Sequence, residues 1–253
     1  MKLSLVIMAA GLGSRYGGNK QVDGIGPHGE ILMEYSIYDA LRAGFGKVVF
    51  IIKPEMREMM EKLCGYVSGK TALDGSPVEV RYVCQDFSSV PAFYKIPERR
   101  TRPFGTVHAL LCAEEAVEEP CCVINADDFY GLDAYRRMAQ ELRRLPEAGR
   151  AAMVGYLLKN TASLHGTVTR GICVQREGFL DSVQETRNIQ LCPDGSLQDL
   201  GTGRLLDPDA VVSMNFWGFM PSIFPLLRRD FEDFLRAAGD DPSAERLLPD
   251  LLD

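Results

Sequence analysis

Four short runs in the first half of the chain, at residues 3–8, 47–53, 78–84 and 121–125, constrain its fold more than any other feature. They are rich in β-branched and other apolar residues, and stretches of helical period separate them. Met33, Ile37, Ala40, Leu41 and Gly44 recur at helical spacing after the first pair of loops, as do Tyr135, Met138, Leu142 and Leu145 after the fourth run. Short apolar strands joined by helices imply a parallel sheet covered on both faces. The expected fold is therefore α/β, three-layered and doubly wound, with ligands bound beyond the carboxyl ends of the strands. Past Pro146 the pattern changes to runs at 151–158, 171–175, 180–183 and 211–219 with Gly-containing turns between them. That half reads as antiparallel, so the sheet is expected to be mixed and mostly parallel. Helical spacing returns at Phe224, Leu227, Phe231, Phe234 and Leu235, and again in AERLLPDLLD at the end.

The 253 residues hold no internal repeat, low-complexity tract or linker-like run, which favours a single domain spanning 1–253. A net charge of −7 and a pI of about 5.1 give no clustered positive field for a polyanion, so nucleic acid is not expected as a partner. No apolar run approaches the roughly 20 residues that cross a bilayer. The first, LSLVIMAA, is also too short for a secretory signal and leads straight into a Gly/Arg loop. Seven cysteines, an odd number with no C-x-x-C pair, form neither a disulfide framework nor a zinc site. A cytoplasmic location is expected.

The loop after the first strand, AAGLGSRYGGNKQ, carries the strongest chemical signal. Glycines at 11, 13, 17 and 18 let backbone N–H groups approach a phosphate chain, while Arg15 and Lys20 add fixed positive charge. The loop reads as a triphosphate cradle. A dinucleotide-binding loop is the rival, and a simple Gly-rich turn the plainer alternative. Against the rival, helical period resumes only near Met33, and the second strand ends in Lys53-Pro54 where a ribose-binding acid would be expected.

Further candidates lie at the ends of the later strands. Gln85 follows the third run and carries an amide able to donate and accept at once, as reading a pyrimidine edge requires; a surface Gln in a loop is the alternative. Gly105 and Thr106 open a helical stretch after Pro103, either beside a ligand or as an ordinary helix start. Asp127 and Asp128 follow CCVIN at the carboxyl end of its strand. Two adjacent carboxylates are costly there without a cation, and consecutive residues cannot both point one way on extended backbone. One is expected to ligate a metal and the other to serve the loop, with capping of the helix after Gly131 as the competing role. Glu185 and Arg187, two apart, share a strand face and suit a hydroxyl and a phosphate, or else pair with each other. His28, His108 and His165 are scattered, with no His-based triad; His108 is expected to be a packing or surface residue.

In these motifs the chain resembles the sugar-phosphate nucleotidyltransferase family that includes glucose-1-phosphate thymidylyltransferase, nearly end to end and in the same order. That resemblance implies a Rossmann-like, GT-A-like nucleotidyltransferase fold, with a nucleotide-binding half at about 1–145 and an acceptor-binding half at about 146–253. AAGLGSR and NKQ resemble the loop whose residues here are Ala10, Gly11, Gly13, Ser14, Arg15 and Lys20, which implies catalytic roles for Arg15 and Lys20. VRYVCQD and RPFGTVHAL resemble the base-binding segments, landing on Gln85, Gly105 and Thr106. NADDFYG resembles the metal segment, landing on Asp127, and AERLLPDLLD the late acidic element, landing on Asp250, for which a solvated terminal acid is the plain alternative. HGTV, VQETR and MNFWGF resemble acceptor-side elements, landing on Gly166, Glu185 and Asn215, with Arg187 beside them.

The implied activity is Mg2+-dependent transfer of a nucleoside monophosphate from an NTP, with a pyrimidine favoured, to a phosphorylated small molecule such as a sugar 1-phosphate, releasing pyrophosphate. A cytidylyltransferase for phosphocholine and an inactive nucleotide-binding regulator are the alternatives, and homo-oligomer formation stays open. Two departures from the family stand out. The link between Gln85 and Gly105 is long and holds Lys95, Arg99, Arg100 and Arg102, suggesting a lid over the phosphates or a solvated face. The family also continues for some tens of residues beyond a segment like LLPDLLD.

Overall fold

The computed structural model describes residues 1–11 and 24–252. The chain divides into two compact units, one of residues Met1–Ala152 with Trp217–Leu248 and the other of Met153–Phe216 with Pro249–Asp253.

In the first unit, β1 (Ser4–Met8), β2 (Lys47–Ile52), β3 (Glu79–Cys84) and β4 (Cys121–Asn125) pair in the order β3-β2-β1-β4, all parallel. Val6 of β1 faces Val49 on one side and Val123 on the other. β1, β2 and β4 are buried along almost their whole length, as strands covered on both faces must be. The end of β10 (Val211–Phe219) adds to β4 in antiparallel sense through Trp217 and Val123. The helices are α1 (Leu32–Ala43), α2 (Arg57–Cys64), α3 (Thr106–Cys112), α4 (Leu132–Leu142) and α5 (Ile223–Ala238). α1 packs on α4 and α3 on α5. The apolar stripe of α5, Phe224, Leu227, Phe231 and Leu235, is buried at helical spacing. At the amino ends of the strands the buried Lys47 ammonium lies 3.2 Å from Glu119 and 3.6 Å from Glu79, and Glu79 also pairs with Lys2 and Arg81. This network satisfies a charge that burial alone would expel.

The second unit is an antiparallel meander. β5 (Ala152–Leu157) pairs with β10, and on the other side β6 (Val168–Arg176), β7 (Phe179–Leu191), β8 (Leu197–Asp199) and β9 (Arg204–Leu206) follow in order. Leu158, Ile189, Leu197, Leu206 and Val212 form its core. The β6–β7 hairpin turns on Glu177 and Gly178, both at positive φ (52° and 83°), a twist that matches that of the flanking strands.

One expectation is overturned. The last segment is not an α-helix: residues 244–247 carry no helix, and Leu248–Leu252 form only a 3-10 turn. The backbone of Arg246 is bonded elsewhere, accepting from Val107 N–H at 3.2 Å and donating to the Phe104 carbonyl at 2.9 Å, and Pro249 has no N–H to give a helical ladder.

Candidate active site

The order of the parallel strands reverses between β1 and β4, because the chain passes from β1 to β2 and β3 on one side and returns to β4 on the other. In sheets of this kind ligands bind beyond the carboxyl ends of the strands at such a reversal, here the ends of β1 and β4. The chain leaves β1 through Ala9, whose N–H donates to Ile51 at 2.8 Å, then the buried Ala10 and the exposed Gly11. A side chain at Gly11 would meet open space. Gly13, Ser14, Arg15 and Lys20 lie outside the described residues.

On the facing side, β4 ends at Asn125, whose N–H donates to the Tyr130 hydroxyl at 3.0 Å and whose side-chain amide donates to Asp128 at 2.8 Å. The two adjacent carboxylates are thereby distinguished. Asp128 is bonded back to the strand end, and Asp127 is exposed at the carboxyl end of β4. α4 then starts on Gly131 at φ 80°.

Gln85 continues β3, its N–H donating to Ile52 at 2.7 Å, and is only 7% exposed. Its amide nitrogen donates to the Gly105 carbonyl at 3.2 Å, so Gln85 and Gly105, twenty residues apart, meet. Gly105 sits at φ 93° and ψ −166°, a region open in practice to glycine alone. A Cβ there would stand 2.5 Å from the Arg246 carbonyl oxygen. Thr106 accepts the Leu248 N–H on its hydroxyl at 2.8 Å. The 246–248 strip therefore braces the 105–106 corner, and Arg246 is itself held by two bonds to Asp230, at 2.7 and 3.0 Å.

Within the long link, Arg100 is not available to phosphate. It is 5% exposed, lies 3.5 Å over the Phe104 ring, and donates to the carbonyls of Pro103, Ala244 and Asp241. Burial pushes its pKa down, and those carbonyls beyond the end of α5 take the place of a counter-ion. Lys95, Arg99 and Arg102 are exposed. His108 is fully buried, stacked on Phe231 at 5.2 Å, and burial lowers its pKa to about 4, with the Arg100 charge adding to the effect.

The acceptor-side candidates belong to the second unit. Gly166 is exposed and bridges to Ser163. On β7, Arg187 Nε donates to Glu185 at 2.6 Å, with the two side chains 77% and 48% exposed, so the pair is an exposed ion pair. Asn215, within β10, holds φ at 58°, and its N–H donates to the Ser213 hydroxyl. Such a backbone outlier inside a strand is commoner at functional positions than elsewhere. Asp250 is half-buried in the 3-10 turn. Among the described residues no three His, Cys, Asp or Glu side chains gather as a ready-made metal cluster, and no helix is long and apolar enough to cross a membrane.

Sequence reasoning missed the supports: Asn125 and Tyr130 behind the Asp127 loop, and Arg246 with Asp230 behind Gly105. An Asn closing an apolar strand three residues before an Asp was a usable signal. The Arg246 brace joins positions some 140 residues apart, which no local pattern can announce.

Comparison with known proteins agrees with this fold. Residues 5–185 match the family described as nucleotidyl transferase. No curated protein matches the chain in sequence. Among solved structures, the inositol-1-phosphate CTP transferase from T. maritima is similar over 100% of this chain and 80% of its own, with a TM-score of 0.60 at 14% identity. A UDP-glucose pyrophosphorylase complexed with UDP-glucose is similar over 100% of this chain and 86% of its own, with a TM-score of 0.55 at 15% identity. At that identity the likeness establishes the shared fold, while the family match covers well over half of the residues. This chain belongs to the nucleotidyl transferase family and is a nucleotidyltransferase.

Proposed function

We propose that this protein joins the nucleoside monophosphate of a pyrimidine NTP to a sugar 1-phosphate or a closely similar phosphorylated small molecule, with release of pyrophosphate, in the reducing environment of the cytoplasm. The observation that carries the reading is the pair of loops at the strand-order reversal: the Gly-rich basic loop leaves β1, and the exposed Asp127 leaves the adjacent β4. A phosphate acceptor is already anionic at neutral pH, so the reaction needs no general base and its demands are positioning and charge neutralisation. The described site suits that demand. His108, the buried histidine nearest Gln85, is neutral and locked in hydrogen bonds.

In this reading Arg15 and Lys20 neutralise the β- and γ-phosphates, with Ala10, Gly11, Gly13 and Ser14 lending backbone N–H groups. Gln85, Gly105 and Thr106 receive the base. Asp127 and Asp250 would hold Mg2+, which takes one or two carboxylates with phosphate and water oxygens and so fits a site without a ready-made cluster. When bound, the ion supplies charge to the triphosphate oxygens. Gly166, Glu185, Arg187 and Asn215 serve the acceptor. Arg187 can exchange Glu185 for a phosphate at small cost, because an exposed ion pair is worth about 0–1 kcal/mol.

The test is pyrophosphate release from UTP, dTTP, CTP, ATP and GTP with Mg2+ and, in turn, glucose 1-phosphate, inositol 1-phosphate and phosphocholine. Release with a pyrimidine NTP and a sugar 1-phosphate is expected. Release only with phosphocholine and CTP would replace the acceptor assignment, and nucleotide binding without any release would make the chain a regulator.

A further inference from the structure

We infer that His108 is a positioning residue that fixes the Gln85 amide with its carbonyl oxygen outward, so that the base pocket accepts a ring N–H and favours uracil or thymine over cytosine. The inference rests on the reading that Gln85 meets the base, and carries it to a choice that the residue type alone does not make.

The orientation of the amide follows from its neighbours. The Gly105 carbonyl can only accept, so the Gln85 atom 3.2 Å from it must be the NH2 group. The same nitrogen lies 3.5 Å from His108 Nδ1. The Phe104 N–H also points at Nδ1, at 3.4 Å. Two donors converging on one ring nitrogen require that nitrogen to be the acceptor. The ring proton is therefore on Nε2, which is 2.9 Å from the Ser89 hydroxyl and donates to it. The tautomer also rules out a Ser89–His108 nucleophile and base, since Nε2 has no lone pair to take the hydroxyl proton.

Both hydrogens of the Gln85 NH2 group are thus used inside the protein, one on Gly105 and one on His108. Oε1 makes no hydrogen bond among the described residues and remains for a ligand. It can only accept. N3, the central atom of a pyrimidine's pairing edge, carries a hydrogen in uracil and thymine and a lone pair in cytosine. A fixed acceptor facing N3 rewards the first two and repels the third, and a buried polar group left unpaired is what gives such sites their discrimination. The ring has little room to turn, being stacked on Phe231 and edge-on to Phe104 at 5.6 Å. Its lowered pKa, about 4, keeps it neutral over the working range. A freely rotating Gln85 would serve either base by flipping its amide; His108 removes that freedom.

The experiment measures dissociation constants of UTP, dTTP and CTP with Mg2+ by titration calorimetry on the full chain, for wild type, His108→Leu, His108→Gln, His108→Asn and Gln85→Leu. Wild type should bind UTP or dTTP ahead of CTP by about tenfold, the order of one hydrogen bond made against one left unmade. His108→Leu and His108→Gln remove the acceptor at the Nδ1 position and should bring that ratio within about twofold. His108→Asn puts a carbonyl oxygen where Nδ1 stood and should keep the ratio within threefold of wild type, although it loses the same ring packing. Should His108→Leu fail to fold, the Asn and Gln variants alone decide. If Gln85→Leu flattens the ratio while both His108→Leu and His108→Gln keep it, His108 does not position the amide and the inference is overturned with the base reading intact. If Gln85→Leu also leaves it unchanged, the base is read elsewhere and both fall. CTP ahead of UTP and dTTP in wild type overturns the outward-carbonyl assignment.

Discussion

Replacing Gly105 by Ala tests whether the corner between Gln85 and α3 is held by backbone geometry. Two separate penalties meet there. The backbone, at φ 93° and ψ −166°, lies in a region that costs a residue with a Cβ about 1–3 kcal/mol. The added Cβ would also stand 2.5 Å from the Arg246 carbonyl oxygen, and the obstacle is backbone with no flexible end to swing away. Forcing extra volume into such a contact costs a further ~1–3 kcal/mol. The sum, about 2–6 kcal/mol, corresponds to a fall in Tm of roughly 4–24 °C at ~2–4 °C per kcal/mol for a chain of this size. Gly75→Ala is the control: Gly75 also has positive φ, 84°, but nothing stands within 4 Å of its Cβ, so it carries a positive-φ penalty without the collision. The assay is thermal and urea unfolding of both variants beside wild type, with UTP affinity as a second readout. Gly105→Ala should lose clearly more stability than Gly75→Ala and should also weaken nucleotide binding, because the displaced 105 carbonyl releases the Gln85 amide. Equal losses in the two variants would refute the close-approach account.

Glu79 is held at a pKa of about 2, first by its hydrogen bond from Lys2 and then by Arg81 and the charge of Lys47. Its folded pKa is below the unfolded value, so its contribution is complete above about pH 4.5 and is lost as pH falls toward 2. Between pH 5 and pH 3 Glu79→Gln should therefore lose less stability to urea than wild type, the rest of the loss coming from other carboxylates whose pKa values hydrogen bonds lower, such as Asp74, Asp194 and Asp241; equal losses would contradict this. Arg15→Lys keeps the charge but not the two-pronged fork, and should lower turnover by about 10²-fold, the worth of one preorganised charge-stabilising donor. Pyrophosphate-release kinetics within threefold of wild type would remove Arg15 from the site. Asp127→Asn should abolish most Mg2+-dependent turnover and weaken Mn2+ binding, followed by electron paramagnetic resonance, at an unchanged Tm. Undiminished Mn2+ binding would transfer the ligand role to another acid.

The parallel half of the fold was readable because its signals are local. Runs such as KVVFII and CCVIN are buried on both faces and so carry their position in their composition, and the strands at 121–125 and 211–219 end where the residues alone place them. α2 and the short β8 and β9 were not anticipated. α2 is only eight residues, with two of them buried, and β8 and β9 are three residues each, too short for a period to register. β7 runs on to Leu191, well past the expected end near Val183, because cross-strand pairing with β6 and then β8 extends it through a polar stretch.

The candidate site divides along the same line. The Asp127-Asp128 pair could be located from the strand that precedes it, and the rule that consecutive side chains diverge gave the two different roles, while only the family resemblance singled out Asp127. The state of Gln85 could not, because what determines it is a set of contacts with Gly105 and His108, whose own positions depend on Arg246 and Phe231 far along the chain. Arg100 makes the converse point. Four basic residues in one link look alike in sequence, yet one is withdrawn to serve the carbonyls beyond α5, and the other three stay exposed. In this chain, which residue types are present indicates the chemistry, and long-range backbone bonds decide which atoms of those residues face it.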